Sequence, residues 1–265
     1  MRYFRIFFLH FQQAFALRSR SMVWFLISLF NPVLFYIFWA GAYHEKGNIF
    51  TSWNLSNVAV YYILLVIAGS LLIVHIEEDV AHWDIQEGGL SRYILKPFPY
   101  IWLKFFEELP WRLIQGAFGI ITFVVFRILL GDFLSVSLPL SIVILAVCIW
   151  IFAYLLSFFY KMILGISALW ITDYSGLQQI SEVVIVIFAG LLMPLEFLPD
   201  TVRQIATALP FSYIIYYPLV ALQGKLNIVD MLRVIGIQSL WIIGLHFLFQ
   251  LLWKKGVKLF TGIGQ

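Results

Sequence analysis

The chain has 265 residues, of which 62% are apolar, 18% aromatic and only 12% charged. A soluble domain is nearer half apolar and about a quarter charged, so a soluble globular enzyme and a disordered chain are excluded. The lone cysteine, Cys148, rules out a disulfide scaffold, and a formal charge of +3 is too mild for nucleic-acid binding.

What remains is an all-α polytopic membrane protein: one transmembrane domain over residues 1–265 with six spanning helices, each needing about 20 apolar residues. Residues 1–21 set Arg2, Arg5, Arg18 and Arg20 around Phe4, Phe7, Phe8, Phe11 and Phe15. That pattern predicts a helix lying in the headgroup layer. No cleavable signal pattern follows, so the first span is expected to act as an uncleaved anchor. It covers about Met22 to Ala42, with Asn31-Pro32 near its middle as a kink. The second span covers about Val58 to Ile76.

Residues 77–108 do not span. Glu77, Glu78, Asp79, Asp84 and Glu87 come first, Gly88-Gly89 break the run, and an amphipathic stretch through Leu90, Arg92 and Leu95 stops at Pro97 and Pro99. A short helix of mixed charge with an apolar ridge suits another protein's groove. The same composition serves an ordinary polar loop equally well. An amphipathic piece, Ile101 to Glu108, then leads to Pro110 and a third span, about Trp111 to Leu130, closed by a turn at Gly131-Asp132. The fourth span starts near Leu138-Pro139 and reaches Tyr160. Apolar sequence continues to Thr172, leaving open whether this helix runs past Lys161 or turns back.

The fifth span lies within Tyr174 to Met193. Pro194, Pro199, Pro210 and Pro218 then interrupt residues 194–231. Irregular backbone at membrane depth is tolerated only where protein or a cavity covers it. A re-entrant outer segment fits, with Thr201 to Ala208 helical and Asp200 as its cap; a loop lying on the lipid surface is the alternative. The sixth span covers about Leu232 to Trp253. With six spans, twelve of the 17 lysines and arginines, among them Arg2, Arg18, Lys96, Lys161 and Lys254, fall on the side of the two termini. That side is therefore expected to be cytoplasmic.

The chain carries no G-x-x-x-x-G-K-[ST], HExxH, CxxC or G-x-S-x-G pattern. His75, Glu78 and His82 share a helical spacing that could hold a metal, but a solvated face is the better reading. Polar groups within spans are candidates for a transport path. Asn31 is the one nearest mid-membrane, whereas Glu182 and Arg127 lie near span ends, where they can snorkel. A membrane-embedded enzyme processing lipids or prenyl groups is the alternative function; it would use Asp173, Glu182 or the 77–87 acids, which form no paired motif.

Two stretches resemble a known family. Gly190, Pro194, Pro199, Pro210 and Gly224 follow the G-x-x-x-P pattern and outer prolines of ABC-2 type permeases, the membrane subunits of ABC exporters. The run from Glu87 to Pro97, ending Ile94-Leu95-Lys96-Pro97, resembles an uncharacterised branch of that family of about this length, where an acidic, glycine-containing stretch ends in LL(K/R)P. The resemblance implies a subunit without its own ATPase, coupled through residues 77–97 to a separate ATP-binding subunit that carries ATP and Mg. Residues 1–21 would be a cytoplasmic elbow helix. Residues 194–210, with Gly190, would close the outer exit. Ser70 on the second span and the Gly190 region would border the substrate path. The resemblance also implies a second permease, identical or paralogous, a setting in the inner (plasma) membrane with both termini cytoplasmic, and no cofactor bound by this chain.

Overall fold

The computed structural model describes residues 2–46, 53–130 and 138–261. The expected turn at Gly131-Asp132 lies outside the described residues. Helix α1 (Arg2–Ala16) is amphipathic. Its inner face packs on α6, with Tyr3 between the rings of Phe98 and Phe106, while Phe4, Phe8 and Phe15 stay exposed. Helix α2 (Arg18–Lys46) follows at once and runs through Pro32.

Helix α3 (Leu55–Leu72) is capped by Asn54, whose side chain accepts the Asn57 N–H at 2.7 Å. It is apolar on all sides, and such a helix belongs in a core; twelve of its residues are buried. The path continues through α4 (Ile76–Glu78) into two wide π-helical turns, Asp79–Gln86, and then α5 (Ser91–Ile94). Helix α6 (Tyr100–Leu130) is a single 31-residue helix. The separate amphipathic piece expected before Pro110 is therefore its first turns, and the proline removes one hydrogen bond without ending the helix.

Helix α7 (Leu140–Ile166) settles the fourth span: it passes Lys161 and tightens into a 3₁₀ turn, Ser167–Leu169. Helix α8 (Tyr174–Phe188) has 15 residues. At 1.5 Å each these reach about 22 Å, short of a hydrocarbon core of about 30 Å, so the fifth span is shorter than expected. Residues 189–227 then hold a 3₁₀ turn (Leu195–Phe197), α9 (Asp200–Ala208), another 3₁₀ turn (Phe211–Tyr213) and α10 (Tyr216–Leu222). Helix α11 (Ile228–Gly256) closes the bundle and takes in residues 228–231, which the sequence assigned to the preceding segment.

Among the described residues five helices are long and apolar enough to cross a membrane: α2, α3 with its continuation, α6, α7 and α11. The pair Asp200–Ala208 and Phe211–Leu222, bent by 73°, counts as a sixth if taken as one broken span. The protein is thus an all-α, multi-pass membrane protein. Its core forms where α3 and α7 meet α6, α10 and α11. Both ends of the chain reach the same end of the bundle, since Tyr3 stacks near Phe98 and Trp253 stacks on Tyr100 at 4.6 Å.

Candidate functional site

Two constellations stand out, one at each end of the bundle. At the end carrying the termini, α3 stops at Leu72 and the backbone is extended at Ile73. A helix end leaves carbonyls without intrahelical partners, and Arg112 of α6 supplies one. Its Nη1 donates to the Ile73 carbonyl and to Gln115 Oε1, both at 2.9 Å, and its Nε donates to Glu108 at 2.6 Å.

The chain then re-forms as α4 and the π-helical turns, held by charge. Glu77 is fully buried and ion-paired with Lys161 of α7, itself nearly inaccessible. Asp84 pairs with Lys104 of α6 at 2.7 Å and accepts the Tyr100 hydroxyl at 2.6 Å. Lys104 also meets Glu107 at 3.2 Å, and Tyr93 donates to Glu107 at 3.1 Å. Burial pushes the Tyr93 hydroxyl up to about 12, so it stays a donor. Gly88 ends the π-helical turns in the left-handed region at φ 78°, and a Cβ on Gly89 would lie 2.5 Å from the Trp83 carbonyl. Both glycines are needed for the chain to reverse there.

This geometry divides the residues singled out from sequence. Glu77, Asp84, Gly88 and Leu90 are buried and fasten the segment to α6 and α7. Glu77, Asp84 and Leu90, expected from the sequence as contacts for a partner, have their side chains packed inside the chain. Glu78, Asp79, Glu87, Leu95 and Pro97 are exposed, Leu95 most of all at 86%. Glu78 accepts a hydrogen bond from Gln178 of α8 at 2.5 Å.

At the opposite end, Gly190 follows α8 at φ 86° and its carbonyl accepts the buried Tyr61 hydroxyl at 2.7 Å. Tyr62 donates to the Leu192 carbonyl at 2.9 Å, and Tyr216 donates to Glu196 at 2.6 Å. Pro194 and Pro199 occupy the N-terminal flanks of the 3₁₀ turn and of α9, and Pro210 that of the next turn. Asp200 is not the cap the sequence suggested: it opens the first turn and pairs with Arg203 at 2.5 Å. Gln238 of α11, buried, donates to the carbonyls of Ile149 and Tyr213 at 3.1 and 2.9 Å. Trp150 donates to the Pro218 carbonyl at 2.9 Å. These side chains satisfy the broken backbone of residues 189–227, as low-dielectric surroundings require.

The residues read as bordering a path are not brought together. Asn31 is exposed on α2, and Glu182 is exposed on α8. Ser70 is buried, donates to the Ile67 carbonyl at 2.9 Å, and faces Gly119 at a tight α3–α6 contact. Asp173, a candidate for enzymatic chemistry, caps α8 by accepting from the Ser175 N–H and hydroxyl. Among the described residues no three metal-ligating side chains of the His, Cys, Asp and Glu types gather to hold a metal.

The roles of Arg112, Lys161 and Lys104 were missed from sequence. Each is basic beside an apolar run and looked like an orientation marker; only the Ile73 carbonyl, Glu77 and Asp84, met across the fold, give them other tasks.

No curated protein and no solved structure matches the chain. The family model for ABC-2 family transporter proteins matches residues 29–264, nearly the whole chain. The glycine-broken segment after α3 and the proline-broken segment before α11 lie within that match. The chain therefore belongs to the ABC-2 transporter family, as a multi-pass membrane component of an ABC transporter rather than an enzyme.

Proposed function

We propose that the chain is the permease subunit of an ATP-driven exporter and that a separate ATP-binding subunit, carrying ATP and Mg, drives it from the side of the termini. In this reading that side is the cytoplasm and the membrane is the inner (plasma) membrane, with a second permease, identical or paralogous, completing the pathway. The observation that carries it is the placement of an exposed apolar tip on a clamped base. Ile94, Leu95 and Pro97 project from a segment anchored by Glu77–Lys161 and Asp84–Lys104. A contiguous exposed apolar tip is a place for a partner to dock, and buried ion pairs of fixed geometry would transmit its push to α6 and α7. Glu87, beside the tip, extends the docking surface. The broken α9–α10 pair with Gly190, Pro194, Pro199 and Pro210 serves as the outer closure, and α1 as the elbow lying on the membrane.

The test is co-purification with the ATP-binding subunit from the same genome. Leu95→Asp is expected to abolish association while the melting curve in detergent stays unchanged. Association equal to wild type would remove the docking role from this tip. If the wild-type chain retains no ATP-binding subunit, the reading as a whole fails.

A further inference from the structure

Helix α2 uses one side inside the chain. Phe25 meets Phe118 of α6 with ring centres 5.8 Å apart, and Phe35 meets Tyr62 of α3 at 6.3 Å. Ser21, Pro32 and Tyr43 are buried on the same side. The other side faces outward. Steps of three and four from Trp24 pass through Ile27, Asn31, Leu34 and Phe38 to Gly41, so these six residues form one stripe. All six are exposed.

Apolar side chains on such a stripe suit lipid tails as well as protein. Asn31 does not suit lipid. It lies about 16 Å along the helix from Arg20 and about 21 Å from Glu45, with no Asp, Glu, Lys or Arg between. That sets it near the middle of a hydrocarbon core of about 30 Å. Among the described residues nothing donates to its amide or accepts from it. Lipid at that depth offers neither donor nor acceptor. The outward stripe of α11 through Leu240, Ile243 and Phe247 is equally exposed but apolar, and makes no such demand.

Symmetry decides what can satisfy this amide. Copies of the chain enter the membrane in one orientation, so a two-fold axis relating two of them stands along the membrane normal. Two α2 helices packed across that axis run parallel, and each residue of the stripe meets its own counterpart at the same depth. Asparagine is self-complementary, because each side chain holds both an NH2 donor and a carbonyl acceptor. A lone asparagine among apolar residues spaced by three and four also fixes register in parallel paired helices. Gly41 is open on this side, since a Cβ there would meet nothing in the chain, and small residues let a partner's backbone come close.

We propose that the stripe from Trp24 to Gly41 is the contact surface for a second, identical copy of the chain, with the two Asn31 amides hydrogen-bonded across the two-fold axis. This rests on the reading above that a second permease completes the pathway, and it makes that permease identical.

The test is disulfide trapping and self-association of the purified full-length chain in phosphatidylcholine vesicles, in a Cys148→Ala background. Ile27→Cys and Leu34→Cys, on either side of Asn31, should each give an oxidised dimer, and Leu240→Cys on α11 should not. Energy transfer between donor- and acceptor-labelled chains, followed as the vesicles are diluted with lipid, should report self-association. Asn31→Leu should weaken it by about tenfold, whereas Asn31→Gln, which keeps the amide, should retain most of it. Unchanged melting curves for both variants would show that one copy still folds. Absence of self-association, trapping through Leu240→Cys in place of Ile27→Cys and Leu34→Cys, or Asn31→Leu pairing as tightly as wild type would each overturn the proposal. The assay contains no ATP-binding subunit, so that failure leaves the Leu95 docking result standing, and loss of docking leaves the α2 contact standing.

Discussion

Lys161 of α7 and Glu77 of the segment after α3 form an ion pair that both residues bury almost completely, although 84 positions separate them in the chain. A buried pair of this kind contributes little net stability, because desolvation opposes the attraction, but leaving one member alone is costly. Lys161→Ala is therefore expected to destabilise the protein by about 3–5 kcal/mol. The double variant Lys161→Met with Glu77→Leu removes both charges and should recover most of that loss. Thermal unfolding in detergent measures both. A Lys161→Ala protein that melts like wild type would falsify the account of a strained, uncompensated Glu77.

Gly190 and Tyr61 give a second prediction, at the opposite end. An alanine at position 190 would adopt φ 86°, which costs an L-residue about 1–2 kcal/mol. Its Cβ would also lie 2.6 Å from the Tyr61 hydroxyl, the donor to the Gly190 carbonyl. Tyr61→Phe alone should cost about 1 kcal/mol, the worth of one hydrogen bond. In the Tyr61→Phe background Gly190→Ala should cost less than in wild type, because the closest clash has gone and the backbone strain and a 3.2 Å approach to the Tyr216 Cβ remain. Strictly additive melting shifts in the double-mutant cycle would show that the hydroxyl does not press on this position.

Arg112 supports a third. Its guanidinium reaches Glu108, Gln115 and the Ile73 carbonyl at once. Lysine keeps the charge but cannot present a planar fork to several acceptors. Arg112→Lys should then lose about 1–3 kcal/mol by leaving a buried acceptor unsatisfied. Hydrogen exchange should also quicken in the turns after α3, where the carbonyl lies, more than in α7. Uniform protection across both would mean that the arginine does not hold the break.

The contrast between these residues shows what local sequence carries. Helices α2, α3, α6, α7 and α11 were legible because about 20 apolar residues in a row have few other fates. The prolines and Gly190 marked the broken outer segment because their backbone limits are local properties. Pro110 misled, since a proline deletes one hydrogen bond and a long apolar helix absorbs that loss. Glu77 and Asp84 misled for a different reason. As neighbours of Glu78, Asp79 and Glu87 they read as one solvated acidic face, and nothing nearby distinguishes them. Lys161 and Lys104, which decide their burial, come from helices packed against them, and the widened π-helical turns that set which acid points inward leave no periodic trace.

Lys225 yields the last prediction, through pH. Its ammonium lies 2.9 Å from the centre of the Trp53 ring, and Trp53 is 1% exposed. Burial pushes the amine down to about 8 from its ordinary 10.5, with the Glu196 carboxylate opposing only in part. Between those two values the unfolded chain binds the proton and the folded chain has released it. Stability therefore rises with pH across that window. Below about pH 8 both states are protonated and this slope vanishes, leaving a fixed penalty for the buried charge. Attraction to the indole, about 0.5–2 kcal/mol, offsets that penalty without cancelling it, as the lowered value shows. Lys225→Met should consequently be at least as stable as wild type at pH 7, and it should lose the gain that wild type shows between pH 8 and 10. Melting temperatures of both proteins across that range, in one detergent and at one ionic strength, isolate the contribution of this residue from other groups that titrate there. Parallel curves for the two proteins would mean that Lys225 keeps its ordinary proton affinity beside Trp53.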